Sequence, residues 1–389
     1  MSISNRARCA APSPTLAIAA RVHALRAEGV DVIDFSAGEP DCDTQEPIPQ
    51  AAVDAPAGGD TELKDAILAK LARDNGLTYR RDNRLVSCGA KQSLYNLFQT
   101  LLDPGDEVVL PAPYRAFYPE QIKLAGGVPV FVPTLPENDF MPTHTDIRKA
   151  LSSRTRAIVL NSPSDPSGGV ASRQTVKELA ALCMQYSLFL ISDESYEKLL
   201  YDGRRHLSPA ALGEKAFQRT VLINGCSQAC AMPDWRIGYA ASADTELLAA
   251  MGRLQDHSAS SPTSRAQKAA VAALNGSQEP VEALRQGLEV RRNQQVDGLN
   301  ALPGVTCRLP GGAFYAFPDL SGLLGKRCGD RLIHGSDDLA AYLLEEARVA
   351  VVPGSGFGAN RHLRLCYATS AGKIAQGLER MKAALNKLE

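Results

Sequence analysis

Several residues in this chain have the chemistry to bind a small anion. Gly89-Ala90-Lys91 precedes a helix-like stretch, where free backbone N–H groups and the helix dipole suit a phosphate. Ser227 and Arg236 offer a hydroxyl and a guanidinium, and Arg364 offers a planar double donor suited to a carboxylate. Asp193 ends an apolar run, where a buried carboxylate needs a partner. Each motif alone is compatible with a plain turn or a solvated charge, so their combination carries the prediction.

The elements that must position these residues follow an α/β pattern. A helix-like stretch at 92–102 leads through a turn into the apolar run 107–110, and Ser172 is predicted to cap a helix. Because such runs alternate with helical segments, we predict a mostly parallel sheet covered on both faces, with ligands at the carboxyl ends of its strands. The further predicted strands are 156–160, 188–192, 221–224 and 237–240. A smaller C-terminal part is predicted from elements at 281–299, 305–308, 313–317, 336–347 and 362–366.

Composition and charge favour a small-molecule partner. The 389 residues carry a formal net charge of −1, so no global field recruits nucleic acid or a membrane surface. No apolar stretch approaches the ~20 residues of a spanning helix. Nine cysteines, scattered and without metal-ligand spacing, predict neither a disulfide framework nor a metal site. We therefore expect a cytoplasmic protein.

The order of motifs resembles one enzyme family along nearly the whole chain. The matching blocks are 36–41 (SAGEPD), 89–92 (GAKQ), 103–106 (DPGD), 161–168 (NSPSDPSG), 192–196 (SDESY), 225–239 (GCSQACAMPDWRIGY) and 353–358 (PGSGFG). Together they resemble class I/II aminotransferases of the aspartate aminotransferase-like branch, which are pyridoxal 5′-phosphate (PLP) enzymes of fold type I. The resemblance implies a large domain with a seven-stranded-type sheet and a smaller α+β C-terminal domain. It divides the chain into a joining segment at 1–45, a large domain at 46–280 and a small domain at 281–389, and it implies a homodimer.

The resemblance also assigns roles to residues that match the family's motifs. A phosphate group is implied at Ala90, Lys91, Ser227 and Arg236. The resemblance further implies that Asp193 pairs with the ring nitrogen of the cofactor, that Tyr196 bonds its phenolic oxygen, and that Arg364, beside Gly38, holds a substrate carboxylate.

The departures from the family concentrate around the cofactor's ring. Gln228 stands where the family has the lysine that forms a Schiff base, and a carboxamide cannot condense with an aldehyde. Asp165 stands where asparagine is usual, Arg115 where a stacking aromatic residue is usual, and Asp234 where glycine is usual, so that Asp234 could compete with a phosphate for Arg236. The segment 51–63 is also shorter than in the family and lacks a tyrosine that reaches the neighbouring subunit.

Three hypotheses follow from these departures. The first is a divergent enzyme of specialised biosynthesis that acts on an amino-acid or keto-acid substrate without a lysine Schiff base. It would bind PLP or pyridoxamine phosphate non-covalently or work without a cofactor, with Gln228, Asp165, Tyr196 and Arg115 as catalytic candidates. The second is a conventional PLP-dependent aminotransferase in a lysine-to-glutamine form. The third is a non-catalytic ligand-binding protein. Natural divergence is favoured here because several changes converge on one site.

Overall fold

A computed structural model of the protein describes residues 3–4, 7–8, 10–54 and 60–389. The described strands are β1 (Ile33–Asp34), β2 (Arg84–Ser87), β3 (Glu107–Ala112), β4 (Val128–Pro133), β5 (Thr155–Asn161), β6 (Phe189–Asp193), β7 (Thr220–Gly225), β8 (Gly238–Ser242), β9 (Tyr315–Ala316), β10 (Arg327–Cys328), β11 (Arg331–Leu332), β12 (Val349–Ala350), β13 (Val352–Pro353) and β14 (Leu363–Cys366). The described α-helices are α1 (Pro14–Ala27), α2 (Ile48–Val53), α3 (Asp60–Asn75), α4 (Ala90–Leu101), α5 (Phe117–Leu124), α6 (His144–Ala150), α7 (Arg173–Tyr186), α8 (Glu214–Arg219), α9 (Thr245–Asp256), α10 (Ser264–Asn275), α11 (Glu279–Asn300), α12 (Ser336–Tyr342) and α13 (Ala371–Leu385).

The large sheet has seven strands in the order β2-β8-β7-β6-β5-β3-β4. Strand β8 runs antiparallel to both of its neighbours, and the remaining pairs are parallel. This confirms the predicted α/β class and the mostly parallel seven-stranded sheet. The apolar runs that predicted the central strands are buried because helices cover both faces of such a sheet.

Local sequence explains how the elements that frame the site begin. The Ser172 hydroxyl accepts a hydrogen bond from the Thr175 N–H at 3.0 Å, which confirms the predicted cap of α7. Gly238 opens β8 directly beneath the start of α4, where an added Cβ would lie 2.1 Å from the backbone nitrogen of Ala90. Only glycine allows this close approach of strand and helix.

The C-terminal elements pack in one apolar cluster that also takes in Ile33 and Phe35 from the N-terminal segment and Tyr196, Leu199 and Tyr201 from the loop after β6. Strands β13, β14 and β9 form a three-stranded antiparallel sheet, and β1 from the N-terminal segment pairs in parallel with β12. The predicted helix at 336–347 is α12 followed by a π-helical segment, Leu343–Ala347. The predicted element at 305–308 is wrong as a regular element, because this part of the chain makes only an isolated bridge between Thr306 and Asp319. The division at residues 45 and 280 stays a prediction.

Two further expectations concern the chain as a whole. No helix in the described ranges is long and apolar enough to cross a membrane. The eight cysteines that the structure describes are all free thiols, and Cys9 lies outside the described residues. The shortened segment at 51–63 lies partly outside them as well, since residues 55–59 are not described.

Candidate functional site

A cavity of about 250 Å³ lies where the carboxyl ends of β6 and β7 meet the start of α4. Its wall brings together Ala90, Lys91, Arg115, Ser227, Gln228 and Arg236, with Gly38 from the N-terminal segment. Sequence reasoning had placed these residues in one site although they are far apart in the chain. The position at the carboxyl edge of the sheet is the one that open α/β folds use for ligands.

One end of the cavity has the character of an anion site. Gly89 caps α4 with a φ of +86°, and a Cβ there would lie 2.2 Å from Nη2 of Arg236. The Arg236 guanidinium is thus packed against the start of the helix, while its Nη1 donates to the carbonyl oxygen of Pro233 at 2.9 Å. Burial, together with nearby Arg115 and Arg236, lowers the pKa of Lys91. Cations and helix N–H groups that face one space suit a phosphate or a carboxylate.

Two acidic side chains, Glu39 and Asp234, also line this cavity. Burial raises the pKa of Glu39, the charge of Asp234 raises it further, and Arg236 works in the opposite direction. Competition between Asp234 and a phosphate for Arg236 stays a prediction, since the hydrogen bond that Arg236 makes goes to Pro233 instead. Glu39 was quoted within a motif but was not predicted as a site residue.

Four side chains of alternating charge form a row that begins at the cavity wall, which we call the charge ladder: Asp193, Arg115, Asp165 and Arg364. Arg115 is partly buried and lines the cavity, and the other three are buried. Nη1 of Arg115 lies 2.9 Å from Oδ2 of Asp193, and Nε of Arg115 lies 3.5 Å from Oδ2 of Asp165. Nη1 of Arg364 then lies 2.9 Å from Oδ1 of Asp165. The two positive and two negative charges of the ladder cancel. Each member is therefore paired with an oppositely charged residue of the same chain.

The ladder changes the expected state of two predicted residues. Arg364 was predicted to hold a ligand carboxylate, but its guanidinium is bound to Asp165 and donates to the Ser36 carbonyl oxygen at 3.0 Å. Asp193 was predicted to pair with a ring nitrogen, but its carboxylate already has Arg115 as a cation. A ligand that uses either group must compete with these internal partners.

Sequence reasoning missed residues that complete the site. The Tyr118 hydroxyl donates to Asp193 at 2.6 Å, and the Ser195 hydroxyl donates to the same carboxylate at 2.5 Å. Ser195 had a usable signal, because an aspartate side chain commonly accepts a hydrogen bond from the backbone two residues on, as Asp193 does from the Ser195 N–H at 3.2 Å. Tyr118 had none, since a tyrosine in an amphipathic helix is most often packing.

Gln228 lies at the cavity wall beside a pair of buried tyrosines. Its Nε2 donates to the Tyr196 hydroxyl at 3.3 Å, and that hydroxyl lies 2.9 Å from the hydroxyl of Tyr315. Burial and the charge of Asp165 raise the pKa of Tyr196, so this phenol stays neutral. The structure therefore places two of the predicted site residues, Tyr196 and Gln228, in contact with each other.

A second buried polar cluster lies outside the cavity and consists of Glu194, Glu197 and His206, whose ligand atoms lie within 4.8 Å of one another. Glu197 is bound to the ammonium group of Lys70. Nε2 of His206 lies 2.8 Å from Oε2 of Glu194. Because cationic groups of the chain already neutralise these carboxylates, the cluster is a structural ion-pair network.

The chain is similar to known aminotransferases over its full length. The family model for aminotransferase class I and II matches residues 30–381. The aspartate aminotransferase of Geobacillus stearothermophilus is 46% identical, over 98% of each chain. The aspartate/prephenate aminotransferase of Thermus thermophilus is 41% identical, over 99% of each chain.

Solved structures give the same result. The crystal structure of the aspartate aminotransferase from Rhizobium meliloti superposes with a TM-score of 0.95 at 41% identity, over 100% of both chains. The aspartate aminotransferase from Thermus thermophilus with maleate has a TM-score of 0.92 at 39% identity, over 99% of this chain and 100% of that one. These likenesses support a conventional aminotransferase better than the divergent enzyme favoured from the sequence. The chain belongs to the class I and II aminotransferase family.

Proposed function

We propose that this chain is an aminotransferase of the aspartate/prephenate kind in which Gln228 replaces the covalent anchor of the cofactor. The observation that carries the proposal is the cavity itself, in which the anion-binding end formed by Lys91, Ser227 and Arg236 lies beside residue 228. The full-length likeness to aspartate and aspartate/prephenate aminotransferases supports an amino acid or keto acid as the substrate. A cytoplasmic homodimer, as the sequence and the resemblance imply, is part of this proposal.

The residues present fit PLP or pyridoxamine phosphate held without a covalent bond. The backbone N–H of Ala90, the side chains of Lys91 and Ser227 and the Arg236 guanidinium would hold the phosphate. Asp193 is fully buried and bound by Arg115, so it would pair with the ring nitrogen only in place of that partner. Such a cofactor, when bound, supplies an electron sink for bonds at the substrate's α-carbon. The residues do not fit covalent attachment at position 228, because an amide nitrogen is not nucleophilic.

The chain's own groups have definite tasks in this proposal. Arg364 orients a substrate carboxylate once that carboxylate replaces Asp165 as its partner, since a guanidinium binds one carboxylate in a bidentate manner. Arg115 holds the Asp193 carboxylate through an ion pair with a 2.9 Å contact. The neutral phenol of Tyr196 donates or accepts a hydrogen bond at the cavity wall without adding charge. Conventional turnover additionally requires an amine at position 228, so we expect it only from a lysine form of the chain.

A second candidate function is the divergent reaction predicted from the sequence, and the charge ladder is the observation that favours it. Arg115 and Asp165 are two of the residues that depart from the family, and each neutralises a group that the family reserves for a ligand. Divergence in residues that neutralise one another is what selection for a different ligand would produce. In that case a lysine at position 228 would not restore amino transfer.

The Gln228→Lys variant separates these candidates. We expect it to retain one pyridoxyl group after treatment with PLP and borohydride, as measured by intact mass with peptide mapping, and to transfer an amino group from aspartate to 2-oxoglutarate. Gln286→Lys, which adds a lysine to an exposed helix position, is the matched control and should show neither effect at that site. A covalent adduct at the introduced lysine without amino transfer would favour the second candidate. Absence of any specific PLP binding would refute the proposed cofactor site.

A further inference from the structure

The Gln228 side chain has one end bonded to the chain and one end without a partner. Its Nε2 donates to the Tyr196 hydroxyl, whereas its Oε1 is buried and accepts no hydrogen bond from the described residues. The residue is only 9% exposed, and it lines the cavity. A buried acceptor without a donor is unfavourable, so this oxygen is the unused acceptor that the cavity-lining residue 228 keeps for a ligand's donor.

The charges around the cavity support this orientation of the amide. Lys91, Arg115 and Arg236 line it with three cationic groups, against two carboxylates from Glu39 and Asp234. A carbonyl oxygen carries partial negative charge and is stabilised near an excess of positive charge. The amide nitrogen, which carries the opposite partial charge, is then directed to the phenolic oxygen of Tyr196.

The anion-binding end fixes where a ligand's donor must be. Ser227 and Gln228 are adjacent in the chain and both line the cavity, with Arg236 on the same wall. A small ligand with a phosphate at the Ser227–Arg236 end therefore extends its other substituents past Gln228. A substituent with an N–H group satisfies Oε1, whereas an aldehyde or a methyl group leaves it without a donor.

We propose that Gln228 is a ligand-binding residue whose carbonyl oxygen accepts a hydrogen bond from an amino group, so that the cavity takes the amine form of the cofactor, pyridoxamine 5′-phosphate, in preference to the aldehyde form. This rests on the proposed function, because it uses the same phosphate end. Glutamine at this position then selects between forms of one ligand, where the family's lysine would react with it. No bond to the protein forms or breaks in this binding step.

Calorimetric titration of the full-length protein with matched ligands tests the proposal. Pyridoxamine 5′-phosphate and 4′-deoxypyridoxine 5′-phosphate differ by an amino group in place of a hydrogen on the same carbon, and neither can form a Schiff base with surface lysines. We expect the amine to bind at least tenfold more tightly, the size typical of one hydrogen bond to a charged donor. Pyridoxine 5′-phosphate, whose hydroxyl is a neutral donor, should fall between them.

Variants at position 228 provide the second part of this binding experiment. In Gln228→Leu the preference for the amine should disappear while the affinity for inorganic phosphate stays unchanged, and in Gln228→Glu the preference should persist or increase. Equal binding of the two ligands by the unaltered protein, or a preference that survives in the leucine variant, would overturn the proposal. If neither ligand binds, the proposed cofactor site itself fails, which is a different result from binding without discrimination.

Discussion

Removal of Arg115 should destabilise the protein through the charge ladder. In Arg115→Met the apolar stem of the side chain is kept and the guanidinium is lost. Asp193, which has no solvent exposure, would then lack a cation, and Asp165 would keep only Arg364. A buried charge without its partner is a strongly destabilising change.

The expected size of the effect follows from the contacts that remain. Breaking a buried ion pair by removing one partner costs about 3–5 kcal/mol. Because Tyr118 and Ser195 still donate hydrogen bonds to Asp193, we expect the lower value, ~3 kcal/mol. An unfolding entropy of about 2.1 cal/mol/K per residue gives ~0.8 kcal/mol/K for a chain of 389 residues, so the Tm should fall by about 4 °C.

A double-mutant cycle with Asp165→Asn makes the test specific to the ladder. Each single change leaves the ladder with a net charge, whereas the double variant is neutral again, so its cost should be smaller than the two single costs combined by about 1–3 kcal/mol. Differential scanning calorimetry of the four proteins measures this coupling. Arg331→Met, which breaks an exposed ion pair with Glu345, is the control and should change the Tm by less than about 1 °C. Additive costs, or a Tm for Arg115→Met within about 1 °C of the unaltered protein, would refute the reasoning.

Two other predictions test the phosphate end and the second polar cluster. Gly89→Ala places a methyl group against the Arg236 guanidinium and should weaken inorganic-phosphate binding about tenfold, as measured by calorimetry. The control is Gly372→Ala, whose added methyl group meets no atom within 4 Å and should leave that affinity unchanged. Equal phosphate affinities in the two variants would contradict the assignment of Arg236 to the phosphate site. Burial acts to lower the pKa of His206, but the charge and hydrogen bond of Glu194 outweigh it and raise the pKa above its ordinary 6.5. The protonated histidine therefore stabilises the fold fully below pH 6.5, and this contribution is lost as the pH rises through the raised pKa. The urea midpoint should fall over that range in the unaltered protein and less steeply in His206→Gln; identical pH slopes in the two proteins would contradict this.

Much of the fold could be predicted because its signals are local. Apolar runs separated by amphipathic helices predicted the central strands within one or two residues, and a serine before a helix predicted the start of α7. The failure at 305–308 has the opposite cause. That run is apolar only at alternate positions and pairs through a single bridge, so burial against neighbouring elements decided its form.

The site could be predicted in composition but not in its pairing. The spacing of Ala90, Lys91, Ser227 and Arg236 within motifs placed them in one cavity. The partners within the ladder are 78 and 199 residues apart along the chain, and which charge meets which depends on the tertiary structure. That Arg115 and Asp165 face a ligand stays a prediction. The structure adds that each is bound to another residue of the chain, while Arg115 also lines the cavity.

The contact between Arg364 and the carbonyl oxygen of Ser36 joins residues that are 328 positions apart. During synthesis the ribosome releases the N-terminal segment, the large sheet and Asp165 well before Arg364 emerges. Asp165 can therefore pair with Arg364, and strand β1 with strand β12, only when translation is nearly complete. A ligand that binds Arg364 can stabilise only chains that contain this residue in its folded place, because molecules that bind the native state act by mass action on that state alone. Chains that end before β14 would gain nothing from it and would remain exposed to proteolysis.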